Sequence, residues 1–101
     1  MNSLYIDTSD NKLIKIAITI AKEKFALEQE MDYRKSQVVL PLIDRLLKKH
    51  NLILKDLSEI KVVTGPGSFT GIRVGVAVAN TLGWILNIPV NGKKEVVVPS
   101  Y

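Results

Sequence analysis

The chain has no cysteine and a single histidine among its 101 residues. Without cysteine there is no disulfide, no thiolate metal ligand and no thiol nucleophile. The lone His50 reads as a residue closing a helix, because a metal site built on histidine needs further ligands at fixed spacing. Aromatics make up only 6% of the sequence and do not alternate with basic residues, so there is no evident stacking platform for bases. Long blocks of one charge are missing too: the lysines are scattered, and no basic arm forms. A net charge of +4 and a pI near 9.4 are compatible with work near RNA but give little support to direct binding. No stretch approaches the roughly 20 unbroken apolar residues that span a bilayer. The opening MNSLYIDTSDN is acidic and polar where a signal peptide would be basic, then apolar. The expected setting is therefore soluble and cytoplasmic, without a membrane. Ser36, Ser68 and Ser100 have no neighbouring base, which argues against a serine hydrolase.

What is present is material for one small core: 47% apolar residues against 24% charged. At this size burial is limited, so surplus apolar surface is better hidden against a partner. Ser3 to Ile6 read as a short strand closed by the turn formers Asp7 to Asn11. Ile14, Ile16, Ile18 and Ile20 alternate with smaller or polar residues, which predicts a strand with one buried face. After the turn AKEK, the alternation of Phe25, Leu27 and Met31 predicts a third strand, paired with the others as an antiparallel meander. From Ser36, expected as an N-cap, the period becomes helical. Val39, Leu42, Ile43, Leu46 and Leu47 share a face, and Pro41 falls near the first turn or kinks the helix. Ile60 to Thr64 form a fourth strand, Ile72 to Leu86 a second helix, and Ile88 to Asn91 a fifth strand. The order β-β-β-α-β-α-β is that of a ribonuclease-H-like or actin-like lobe, an α/β fold with a mixed five-stranded sheet.

Between the fourth strand and the second helix lies GPGSFTGIRVG, residues 65–75. A Walker A loop would end in Gly-Lys-Ser/Thr, where this chain has Gly71-Ile72-Arg73. A dinucleotide fingerprint would have glycine in place of Thr70 and an acid about 20 residues further on, and it has neither. Gly65, Gly67 and Ser68 could still offer amides to an anion at the helix start, although capping by Ser68 or Thr70 is the favoured role. Gly71, Gly75, Ala79 and Gly83 recur every four residues, and the helix is apolar nearly all round. Small residues let another backbone approach. The expectation is that a second protein does so; an ordinary core helix facing its own sheet is the alternative. Asp7 ends the first strand, where actin-like kinases and ribonuclease H place a catalytic acid. With Thr8 and Ser9 it reads as an Asx-type turn, with a vestigial anion site as the other reading.

GPGSFTGIRVGVAVANTLG, with IDTS at the start and SQVVLPLIDRLLKKHNL between, resembles the TsaB (YeaZ) family over most of positions 3 to 92. That family is the dimerisation subunit of the bacterial machinery that makes tRNA threonylcarbamoyladenosine (t6A). The resemblance implies an actin-like lobe over 1–92 and no catalytic residue, metal or cofactor. It implies a heterodimer with TsaD, and contact with TsaE and tRNA only through the complex; the apolar second helix, which needs cover, gives the further expectation of a homodimer when the chain is alone. The interface would use the two helices, at Val39, Ile43, Leu46, Leu47, Gly71, Arg73, Gly75, Val76, Ala79, Asn80 and Gly83. The vestigial anion site would be Asp7, Thr8, Ser9, Gly65, Gly67 and Ser68. Members usually continue into a second lobe, where this sequence has the tail 93–101. A competing expectation is a nucleotide-binding half-enzyme of the actin-like kinase class that completes its cleft by dimerisation.

Overall fold

A computed structural model describes residues 2–30 and 35–100. The meander forms as its alternation requires: β1 (Asn2–Asp7), β2 (Leu13–Ile20) and β3 (Glu23–Glu30) pair antiparallel in order. The β2–β3 connection is tighter than AKEK suggests. Ala21 and Lys22 alone make it, both at positive φ, a turn whose twist suits a two-residue hairpin. Met31, expected as the last inward residue of β3, lies outside the described residues.

Helix α1 (Lys35–Lys49) then crosses to β4 (Glu59–Val62), which pairs parallel to β1 and gives the sheet order β3-β2-β1-β4. Ser36 lies inside the first turn of α1 rather than at its cap, because the helix already includes Lys35. Pro41 sits further in than expected, on the exposed side, where it removes the helical bond to the Gln37 carbonyl. Helix α2 (Phe69–Leu86) follows, capped by Ser68, whose side chain accepts from the Gly71 N–H. By length and composition alone α2 could cross a bilayer, yet its Gly71, Ile72, Gly75, Val76, Ala79, Leu82 and Gly83 are buried within the chain.

The expected fifth strand does not form. Val90 makes only an isolated parallel bridge to Ile60, and among the described residues the sheet has four strands. Two features stop it: Pro89 has no N–H to give, and Asn91 and Gly92 turn the chain away at positive φ. The Asn91 side chain stands in for the missing strand residue. Its amide accepts from the Val62 N–H (2.8 Å) and donates to the Val62 carbonyl (3.0 Å).

Both helices lie on one sheet face. Leu4, Ile6, Ile14, Ile16 and Ile18 from the sheet meet Val39, Ile43, Leu46 and Leu47 of α1 and Ile72, Val76, Ala79 and Leu82 of α2 in one core. Each fully buried Leu or Ile there contributes about 1.5–3 kcal/mol. Residues on the opposite face are mostly polar or charged, with Leu13, Ala26 and a buried Ala17 among them, as suits a face turned to water. There Lys24 stands 5.1 Å over the Tyr5 ring and Lys15 is 3.9 Å from Glu28. Edge strand β3 carries Glu23, Lys24, Glu28 and Glu30, charges that oppose pairing with another chain.

Candidate functional site

The glycine-rich turn and the end of β1 come together. The Ser68 N–H donates to the Ser9 carbonyl at 2.7 Å, and a Cβ on Gly67 would stand 2.6 Å from that same oxygen. Gly67 has φ of +155°, so two constraints select glycine here. Asp7 accepts at one carboxylate oxygen from the Ser9 N–H (3.0 Å) and the Ser9 hydroxyl (2.6 Å), which is the expected Asx-type turn. Its other oxygen faces the Tyr5 hydroxyl at 3.4 Å. Burial first, then the Asp7 charge and this hydrogen bond, push the Tyr5 hydroxyl above its usual pKa. Asp7, Thr8, Ser9, Gly67 and Ser68 thus share one junction, but the Ser68 amide is spent on Ser9 and its hydroxyl on capping α2.

Thr8 is fully buried and reaches into α2 itself. Its hydroxyl donates to the Gly71 carbonyl at 2.5 Å and accepts from the Gly75 N–H at 3.1 Å, two groups that would bond each other in a regular helix. A Cβ on Gly75 would collide with this oxygen and approach Ile6 to 3.4 Å. At Gly83 a Cβ would meet Val90 at 2.5 Å and the Ile88 carbonyl at 3.2 Å. The small-residue stripe therefore faces the chain's own strand and the segment after α2. This corrects the expectation that it admits a partner's backbone. Val39, Ile43, Leu46, Leu47, Gly71, Gly75, Val76, Ala79 and Gly83 are all buried within the chain. Of the expected interface set, Arg73 is exposed and Asn80 half-buried.

The side of α2 that remains open is broad and mostly apolar. Thr70, Arg73, Val74, Ala77 and Val78 line a shallow groove of about 420 Å³. Arg73 lies 5.5 Å from the Phe69 ring, and Phe69 is 57% exposed. Further along, Trp84 and Ile85 are 85% and 63% exposed, far beyond what a core helix leaves uncovered. On α1, Leu40 is also exposed. Apart from Arg73, the expected interface set contains none of these residues. The available signal was that α2 has more apolar side chains than one sheet face and one neighbouring helix can cover, and it was assigned to the wrong side. Among the described residues no group of three or more His, Asp or Glu side chains is placed to hold a metal. His50 stacks on Phe25, ring centroids 4.2 Å apart, at the end of α1.

A family model described as "TsaD: tRNA N6-adenosine threonylcarbamoyltransferase" matches residues 29–95. The chain is 38% identical to "tRNA threonylcarbamoyladenosine biosynthesis protein TsaB" of Bacillus subtilis, over 90% of this chain and 40% of that protein. It is 37% identical to a "tRNA N6-adenosine threonylcarbamoyltransferase" of Persephonella marina, over 50% of this chain and 15% of that one. Its backbone superposes on YeaZ from Pseudomonas aeruginosa with a TM-score of 0.84 at 27% identity, covering 88% of this chain and 41% of that structure. The chain thus spans 40% of the length of the Bacillus subtilis relative.

Proposed function

The chain belongs to the tRNA N6-adenosine threonylcarbamoyltransferase (TsaD) family, on its TsaB/YeaZ branch, and on that premise we propose that it is a non-catalytic subunit in t6A synthesis. In this reading it docks on TsaD through the open side of α2 with the adjoining surface of α1, and supports threonylcarbamoyl transfer to adenosine 37 of tRNA. TsaE and tRNA meet it within that complex. The observation that carries the reading is the exposed apolar side of α2, from Phe69 and Ala77 to Trp84 and Ile85, with the half-buried Val74 and Val78 flooring the groove. An apolar centre with one arginine and a polar surround is the composition of a protein–protein contact. The naming of its Bacillus subtilis relative as a t6A biosynthesis protein supports the pathway.

Co-expression with TsaD from the same organism, followed by light scattering, tests this. The expected result is a complex containing both chains, with tRNA modification that needs both. Two separate species at micromolar concentration, with tRNA modified equally well without this chain, would overturn it.

A further inference from the structure

Beyond Asn91 the chain forms an extended strap, residues 93–100, and we infer that Asn80 is the latch that holds this strap closed over α2 as a separately opening unit. The Asn80 side-chain amide uses both ends on one residue of the strap. It donates to the Val97 carbonyl at 2.9 Å and accepts from the Val97 N–H at 2.9 Å. At the far end the Ser100 N–H donates to the Thr64 carbonyl, just before the glycine-rich turn, at 2.6 Å. At the near end Val90 and Lys93 bridge across a turn made by Asn91 and Gly92.

Between these points little apolar surface holds the strap. Lys93, Lys94, Glu95, Val96 and Val98 are exposed; Val97 and Pro99 are half-buried, Val97 packing against the core. A segment with few buried contacts and polar anchors opens at a free energy below that of global unfolding. Closed, it walls a small cavity of about 60 Å³ with Gly83, Trp84 and Val90. Open, it would release the Thr64 carbonyl, just past the end of β4, and bare the Asn80 flank of α2, which borders the exposed groove. The latch concerns the chain's own motion and stands whether or not that groove docks a partner.

Two variants test it, Asn80→Ala and Asn80→Asp, the second keeping an acceptor for the Val97 N–H while losing the donor. Three quantities are read: amide hydrogen exchange at Val97, tryptic cleavage after Lys93 and Lys94, and the midpoint of thermal unfolding. Loss of two hydrogen bonds should speed exchange and cleavage in Asn80→Ala by about tenfold or more, with Asn80→Asp between it and the parent. The thermal midpoint should change by no more than a few degrees. Unchanged exchange and cleavage would show that Asn80 does not hold the strap. Faster exchange matched by an equal loss of global stability, or failure to fold, would show the strap to be an inseparable part of the core. Either result overturns the inference.

Discussion

Thr8 and Gly75 form a lock whose halves are 67 residues apart in sequence. The hydroxyl occupies the space a Cβ at residue 75 would take, and it satisfies the two helix groups beside it. Gly75→Ala should therefore lower stability by about 1–3 kcal/mol as an overpacked site, although alanine is the better helix former. In a Thr8→Ala background the same substitution should cost less or become favourable, since the obstructing oxygen is gone. Thermal denaturation of the four proteins in this cycle checks the coupling; strict additivity would contradict the contact. Tyr5 gives a prediction in pH. Its pKa is raised in the folded state, so the unfolded chain loses the proton first as pH rises. That contribution is fully present below about pH 10 and is lost as pH climbs through the raised value. The stability of the parent relative to Tyr5→Phe should fall over that alkaline range, as urea titrations would show. A pH-independent difference would contradict it.

At the scale of elements, α2 has two unlike faces. The small residues press against β1 and Val90 on the same buried side as Ile72, Val76 and Leu82, and Phe69, Trp84 and Ile85 face outward. Gly75→Leu or Gly83→Leu should thus lower the melting temperature sharply, while Ile85→Glu on the open side, where the residue is 63% exposed, should leave it within a few degrees. A Gly83→Leu variant as stable as the parent would contradict the close approach of Val90. The meander and the α1 face of Val39, Ile43, Leu46 and Leu47 were legible in the sequence, because periods of two and of 3.6 map directly onto one buried side. The four-residue recurrence of Gly71, Gly75, Ala79 and Gly83 was legible as well, but not what covers it. A spacing marks a face and allows close approach equally by a neighbour or by the chain's own strand. Only the fold brings Thr8 to Gly75. The missing fifth strand has a similar cause: Ile88 to Val90 are apolar enough, but the backbone signs of Asn91 and Gly92 and the side-chain pairing of Asn91 with Val62 are tertiary facts.

Taken as a whole, the molecule is a sheet with both helices on one face and a charged surface on the other. Its core buries most of what the sequence offers; Phe69, Trp84 and Ile85 stay exposed along the outer side of α2, as do Leu40 of α1, Ile53 and Leu54 after it, and Val96 and Val98 of the strap. That distribution is the basis for a docking role, and charge inserted at its centre should separate docking from folding. The deciding measurement is TsaD binding, by titration calorimetry, for Ala77→Glu and the parent, with the melting temperature of each recorded. Ala77 is exposed and lines the groove, so the variant should melt within a few degrees of the parent. A buried charge at an apolar contact should weaken binding by about thirtyfold or more. An Ala77→Glu protein that is folded and binds TsaD as tightly as the parent would contradict the account.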